Sequence, residues 1–341
     1  MKKLKMAIVG AGHWGENHII IYKDHPNVEL VAICDLNISR ASEVANRFGI
    51  ENVYNSVNEM LKSCDFDAVA IVTPDFAHAE TAIACANAKK HMLIEKPLAT
   101  TRKDVLEMVD AFQKNNVRVM IDFHNRWNPP FQAAKQAIDN GELGDPYSAY
   151  YRLNDQKWVA TEMLSWASKS SILWFLGSHS LDTLKWLFDD EVERVYAVSR
   201  EGVLKSKGLD TIDMYLTTIE FKRGGIAHME NGWITPNASP NVNDIKFSLL
   251  GTKGMVAIDG SSHTLLQQYT DTKMHVPDIL VQNYVFGKAI GFAYQSINHF
   301  IDKMISGENF ALEYKDAAKT SLALLAVMES AKQGKPITVE Y

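Results

Sequence analysis

Gly10, Gly12 and Gly15 stand in the spacing G-x-G-x-x-G, with Ala11, His13 and Trp14 between them. The loop directly follows a short apolar run and opens a helical pattern at Glu16. In a dinucleotide site each glycine has its own task. Gly10 makes the tight turn, Gly12 lets backbone approach a pyrophosphate, and Gly15 lets helix and strand pack closely. The helix N-terminus offers N–H donors and positive partial charge to the phosphates. Asp35 ends the next apolar run, 20 residues after Gly15. A carboxylate there accepts from both adenosine ribose hydroxyls and repels a 2′-phosphate, which favours NAD over NADP. Arg40, nearby and able to pair a phosphate, keeps NADP as the lesser option.

Two further loops follow apolar runs, at the strand ends where open α/β sheets bind ligands. One is Thr73-Pro74-Asp75, with His78 starting the next helix; the other is Glu95-Lys96-Pro97. A lysine at a strand end, followed by proline, is placed to reach a substrate hydroxyl. Burial beside a cationic nicotinamide would draw its pKa down from about 10.4. A solvated surface lysine is the competing reading. Farther on, His179 and Asp182 share a helix face at i, i+3 within Gly177-Ser178-His179-Ser180-Leu181-Asp182. A histidine can pass protons at neutral pH and a carboxylate can orient it; a satisfied core pair is equally consistent with the spacing. Trp158, Trp166 and Trp174 offer faces for sugar stacking or for the core. Asn125, Arg126 and Lys157 are candidate partners of substrate hydroxyls or a phosphate, or ordinary loop residues.

These groups need a scaffold, and up to about residue 122 the chain supplies one. Apolar runs at 6–9, 30–34, 68–72, 92–94 and 117–121 alternate with helical patterns. Consecutive apolar positions mark strands buried on both faces of a parallel sheet. Ser39 leads a helix over 41–48 that Gly49 closes, Ser56-Val57-Asn58-Glu59 is a capping box, and Thr101 caps a helix to Asn115. The alternation predicts a doubly wound α/β domain over residues 1–123. The remainder, 124–341, reads as a second α/β domain. It has a helix over 131–140, a strand over 146–153, and a helical stretch over 170–188. Longer alternating strands follow over 192–200, 211–221, 226–233, 245–250 and 255–258, and helices over 293–306 and 316–333 close the chain. Lys222-Arg223-Gly224-Gly225 marks a hairpin, so this sheet is expected to be antiparallel.

Composition excludes several classes. The 341 residues carry 35 Lys+Arg against 41 Asp+Glu, a net charge of −6, with 46% hydrophobic residues. No basic block suggests nucleic acid or an anionic membrane as partner. Three cysteines, Cys34, Cys64 and Cys85, show no C-x-x-C spacing, so neither a disulfide framework nor a cysteine zinc site is expected. The eleven histidines show no H-x-x-x-H or H-E-x-x-H spacing, and no metal is expected. The apolar run after Met1-Lys2-Lys3-Leu4-Lys5 is too short for a signal peptide, and no run is long enough for a membrane span; a cytoplasmic protein is expected.

In this order, the glycine loop of Gly10, Gly12 and Gly15, Thr73-Pro74 with His78, Glu95-Lys96-Pro97, and Gly177-x-His179-x-x-Asp182 resemble the Gfo/Idh/MocA oxidoreductases, a family that includes glucose–fructose oxidoreductase and inositol dehydrogenase. Residues 119–127 with Pro129 resemble its crossover into the second domain, and Leu250-Gly251-Thr252-Lys253-Gly254 resembles a hairpin turn there. The resemblance implies an N-terminal Rossmann domain and a C-terminal α/β domain with an open, mostly antiparallel sheet. One face of that sheet commonly packs against a second subunit, so a homodimer or homotetramer is expected. Cofactor contacts are expected from Gly10, Gly12, His13, Trp14, Gly15, Asp35, Thr73, Pro74, His78, Glu95 and Lys96. The resemblance implies that Lys96 is the lysine near nicotinamide and His179 the acid–base histidine, with Asn125, Arg126, Lys157, Trp158 and Asp182 as substrate contacts. Phe175 departs from the pattern, which often has aspartate four residues before that histidine. Lys96 and His179 would then suffice, or Tyr151 or Asp155 would substitute. The reaction implied is hydride transfer between nicotinamide and a secondary alcohol of a sugar, a cyclitol or a derivative. A glycoside hydrolase with retained NAD and a non-enzymatic dinucleotide or sugar sensor are the alternatives.

Overall fold

The computed structural model describes residues 3–261, 266–272, 274–277 and 279–341. They form two compact units, one of the chain up to Trp127 with Leu280–Ala318, the other of Asn128–Ile279 with Lys319–Tyr341.

The first unit is built on a six-stranded parallel sheet in the order β3-β2-β1-β4-β5-β6. Its strands are β1 (Leu4–Val9), β2 (Val28–Cys34), β3 (Asn52–Tyr54), β4 (Ala68–Ile71), β5 (His91–Glu95) and β6 (Val119–Asp122). β4 and β6 are buried at every position, as consecutive apolar residues require when both faces are covered. The helices between them are α1 (His13–Asp24), α2 (Ile38–Phe48), α3 (Val57–Ser63), α4 (His78–Asn87) and α5 (Arg102–Asn115). Ser56 accepts from Glu59 N and Thr101 from Asp104 N, as the caps predict. α2 starts earlier than Ser39 suggests, because Asn37 accepts from Arg40 N and caps it. β3 has no apolar run to announce it; its three residues are held by pairing with β2.

A division at 123/124 assigns residues 280–318 to the second domain, but in the structure they pack in the first unit. The reason is the helix Phe292–Ser306. Its Tyr294, Ile297, Phe300 and Ile301 join a core with Met6 and Ile8 of β1, Ile19 and Tyr22 of α1 and Met120 of β6. Position in the chain says nothing of which sheet such an apolar stripe covers.

The second unit carries a mixed seven-stranded sheet. Its strands are β7 (Pro146–Gln156), β8 (Val192–Arg200), β9 (Met214–Phe221), β10 (Ile226–Thr235), β11 (Asn243–Gly251) and β12 (Met255–Asp259). The order is β12-β11-β7-β10-β9-β8, and Ile337–Thr338 extends the β8 edge. Only β7 and β10 pair in parallel; the other neighbours are antiparallel. Strand burial alternates, and the inward residues, among them Tyr151, Ile219, Met229 and Phe247, form one core. Helices α6 (Pro129–Asp139) and α7 (Ser178–Phe188), with Ala323, Leu324 and Val327 from the last helix, share that core. The opposite face presents Tyr196, Val198, Ile226 and Leu250. Among the described residues no helix is long and apolar enough to cross a membrane.

Candidate active site

The glycine loop separates what the protein needs from what it leaves open. Gly10 holds φ +112°, and a Cβ there would lie 2.4 Å from Val72 O. A Cβ on Gly15 would lie 2.1 Å from Gly10 O. Both glycines are demanded by the chain's own packing. Gly12 is not. Its φ of −72° suits any residue, and a Cβ would meet nothing within 4 Å. The open space sits at the N-terminus of α1, which no side chain caps, so its first N–H groups have no helical partner. Thr73 Oγ1, at the end of the neighbouring β4, is buried with no hydrogen-bond partner among the described residues. This is a cradle with donors facing outward, and it fits a dinucleotide.

Asp35 follows the end of β2. Its two carboxylate oxygens accept from Ala11 N and Asn37 N, each at 2.8 Å. Each oxygen keeps a lone pair for a ribose hydroxyl. Arg40 is already occupied: Nε donates to Ala11 O at 3.0 Å and the guanidinium pairs with Glu16 and with Glu43. Freeing it for a 2′-phosphate would leave Glu16, beside the start of α1, with Arg47 alone.

Lys96 directly follows β5, half-buried, and its peptide to Pro97 is cis. The preceding Glu95 is tied inward, with Oε1 accepting from Trp14 Nε1 at 2.7 Å and lying 2.9 Å from His18 Nε2. Trp14 thus fastens the start of α1 to the end of β5. His78 is wholly buried, with its ring nitrogens 3.0 Å from Thr73 O and 2.8 Å from Pro97 O. It lies between the two expected ligand loops and touches the backbone of both. His13 is exposed and Pro74 half-buried. Asn125 is buried and Arg126 half-buried, both in the short turn His124–Trp127 after β6.

In the second unit, His179 and Asp182 lie one turn apart on α7 and are 5% and 1% exposed. α7 is buried nearly all round. Asn231 of β10 helps hold it, donating to Leu153 O and to Ser180 Oγ, both at 3.0 Å. The residues before α7, Leu173–Gly177, form a π turn, so Phe175 does not stand in α-helical i−4 register with His179. Its ring instead contacts Trp166 at 6.3 Å and Trp233 at 6.4 Å between centroids. Neither suggested substitute is a free-standing group. Tyr151 packs between Phe131 and Phe247, and Asp155 accepts from Asn243 Nδ2. Lys157 and Trp158 follow β7, where Trp158 Nε1 donates to Gln156 Oε1 at 2.6 Å and its backbone N to Asn237 Oδ1 at 3.0 Å. Trp174 is buried, and Trp166 packs against the core.

Motif spacing does not show the buried cluster of His18, Glu95 and Asp122, which have atoms that could hold a metal ion within 4.8 Å of one another. The three come from α1, β5 and β6. The one sequence signal was a carboxylate at the end of a fully apolar strand. Burial would raise the Glu95 carboxyl, but the His18 hydrogen bond, helped by Lys96 and by the two histidines His18 and His124 where acid charges them, outweighs it and holds Glu95 down to about 2. Burial pushes Asp122 well above the carboxylate range, reinforced by Glu95, and lowers His124 to about 4.

Comparison with known proteins places both units. Residues 4–123 match the model of an oxidoreductase family with an NAD-binding Rossmann fold, Gfo/Idh/MocA, and residues 131–257 match the Gfo/Idh/MocA C-terminal domain. The chain is 30% identical over 302 residues to levoglucosan dehydrogenase of Pseudarthrobacter phenanthrenivorans, covering 78% of this chain and 76% of that one. It is 25% identical to myo-inositol 2-dehydrogenase of Thermotoga maritima, over 99% of both chains. The crystal structure of scyllo-inositol dehydrogenase from Lactobacillus casei, with bound NAD(H) and scyllo-inositol, superposes with a TM-score of 0.82 at 19% identity over 99% of both chains.

Proposed function

The chain belongs to the Gfo/Idh/MocA family of NAD(P)-dependent oxidoreductases that act on CH–OH groups, and from that premise we propose that it oxidises a secondary alcohol of a sugar, a cyclitol or a derivative with NAD. The observation that carries the cofactor choice is the pairing of an open Gly12 with an Asp35 whose oxygens still accept and an Arg40 already engaged by Glu16 and Glu43. Nicotinamide, when bound, supplies the hydride acceptor. His179 takes the hydroxyl proton as general base, and Asp182 on the same helix orients the site. Lys96 stabilises the developing alkoxide by its charge. Asn125, Arg126, Lys157 and Trp158 contact substrate, with Trp158 giving a face to sugar C–H groups. The apolar positions on the outer face of the second unit's sheet, Tyr196, Val198, Ile226 and Leu250, suit a second copy of this chain in a homodimer or homotetramer.

The test is turnover. Purified protein is offered NAD or NADP with inositols, aldoses, anhydrosugars, sugar phosphates and nucleotide sugars while NADH absorbance is followed. NADH formation with one polyol class supports the reading; consumption of a glycoside without net NADH turns it toward a retained-cofactor hydrolase. Lys96→Met should lower kcat on the order of a thousandfold and leave NADH binding within about threefold. Parallel losses in both would refute the role given to Lys96.

A further inference from the structure

Asp122 and Glu95 are register partners on the neighbouring parallel strands β6 and β5. Asp122 is 0% exposed, Glu95 7% and His18 0%. Two carboxylates so close and so dry do not both ionise, since each loses water and each repels the other. Hydrogen bonding decides which one keeps the proton. Trp14 Nε1 and His18 Nε2 both serve Glu95. Apart from Glu95 itself, the one polar group that serves Asp122 among the described residues is the Ser296 hydroxyl. Ser296, which faces it from the helix Phe292–Ser306, gives its hydroxyl proton to Ala293 O at 2.8 Å. As an anion Asp122 would be a buried acceptor served only by a hydroxyl whose one proton is already given to Ala293 O; as an acid it is itself a donor, with Glu95 in reach.

The groups that bear on the pair come from each element around it: His18 and Tyr22 of α1, Lys96 at the end of β5, and His124 after β6. With His124 lowered to about 4 by burial, that ring is neutral at physiological pH. His18 Nδ1 lies 3.1 Å from Tyr22 OH and Nε2 lies 2.9 Å from Glu95 Oε1, so the ring links Tyr22 to Glu95, with Nε2–H donating to the carboxylate. We propose that Asp122 is a positioning residue, held as a neutral carboxylic acid that donates to Glu95, and that the chain Tyr22–His18–Glu95–Asp122 fixes the strand end that carries Lys96. Lys96 then stands over one buried negative charge, where two ionised carboxylates would give it two. The proposal rests on the dehydrogenase reading only for what Lys96 does.

Infrared difference spectroscopy on the whole protein, with carbon-13 in the aspartate carboxyls, reads the protonation directly. The carbonyl band of an un-ionised aspartic acid is expected at neutral pH and should vanish in Asp122→Asn; its absence from the unaltered protein overturns the proposal. The Lys96 amine, titrated by nitrogen-15 NMR, should move by less than about 0.3 pH unit in Asp122→Asn, because one neutral donor replaces another. A downward move on the order of one unit would mean that a charge had been removed, and would overturn it. Neither readout needs turnover, so a failed substrate screen leaves both intact. Once a substrate is known, Asp122→Leu should lower kcat on the order of tenfold with KM for NAD steady, and Asp122→Asn should restore most of it. Equal kcat in the two variants defeats the positioning role. A divalent metal at one equivalent in the purified protein would also overturn the proposal, since an ion among His18, Glu95 and Asp122 would take the place of the proton.

Discussion

Substituting Gly12 by alanine separates cofactor binding from folding in this chain. A Cβ at residue 12 meets nothing within 4 Å, and the backbone there is at φ −72°. Alanine in place of glycine at a helix N-cap costs up to about 1 kcal/mol, and the lost freedom of the unfolded chain returns about 0.4–1 kcal/mol. The net effect on stability should lie within about 0.5 kcal/mol. Binding is another matter. The new methyl occupies the space through which a pyrophosphate approaches the free N–H groups of α1. Losing one hydrogen bond to a charged group costs about 1.5–3 kcal/mol, and about 1.4 kcal/mol is a factor of ten. Kd for NADH should therefore rise about 10- to 100-fold. Gly15→Ala is the opposing control. Its Cβ would sit 2.1 Å from Gly10 O, a backbone atom that cannot move without unmaking the turn, so about 3 kcal/mol of stability should go with it. NADH fluorescence titration and urea unfolding of the two variants make the comparison. An unfolding free energy for Gly12→Ala lowered by more than about 2 kcal/mol, or an NADH Kd within about threefold of the parent, would refute the claim that this glycine serves a ligand.

Three further outcomes follow from the geometry. Asp35→Asn keeps an acceptor for Ala11 N or Asn37 N but loses the charge, so KM for NAD should rise about tenfold and the preference over NADP should narrow; steady-state kinetics with both cofactors checks this, and an unchanged preference counts against Asp35. Glu191 takes hydrogen bonds from Lys222 and Lys319, which hold its carboxyl at about 2. A depressed folded-state pKa stabilises above the unfolded value of about 4.3 and is lost as pH falls toward 2, so the gap between parent and Glu191→Gln, about 1 kcal/mol after allowing for solvent screening, should be full at pH 7 and close across that window in urea melts. Phe175→Asp puts a carboxylate among Trp166 and Trp233 and should cost about 2–3 kcal/mol in thermal unfolding; a variant as stable as the parent and with higher kcat would show that residue 175 reaches the reacting groups after all.

Much of the first unit was legible because a parallel sheet covered on both faces writes itself as consecutive apolar residues, and because Ser56, Thr101 and Gly49 mark helix ends by chemistry local to a few positions. The alternating strands of the second unit were legible for the same reason, since burial on one face has a period of two. β3 was missed because three residues held by one neighbouring strand leave no pattern, and Ser39 stood in for Asn37 because both are good caps two positions apart. The lysine at the end of β5 and the histidine of α7 could be named, since each sits in a short local signature.

Tertiary structure alone decided the rest. The helix Phe292–Ser306 carries an apolar stripe that would cover either sheet, and only packing assigned it to the first unit. The π turn before α7 took Phe175 out of helical register and gave it to Trp166 and Trp233, which periodicity counted in steps of 3.6 does not foresee. The contacts of His78 with Thr73 O and Pro97 O, which bring two loops together, depend on the order of the strands before them. The meeting of His18, Glu95 and Asp122 depends on strand order and register, through which residues 18, 95 and 122 become neighbours. Sequence alone determined the residues and local geometries able to do chemistry; the long-range pairing of strands decided which of them share a proton.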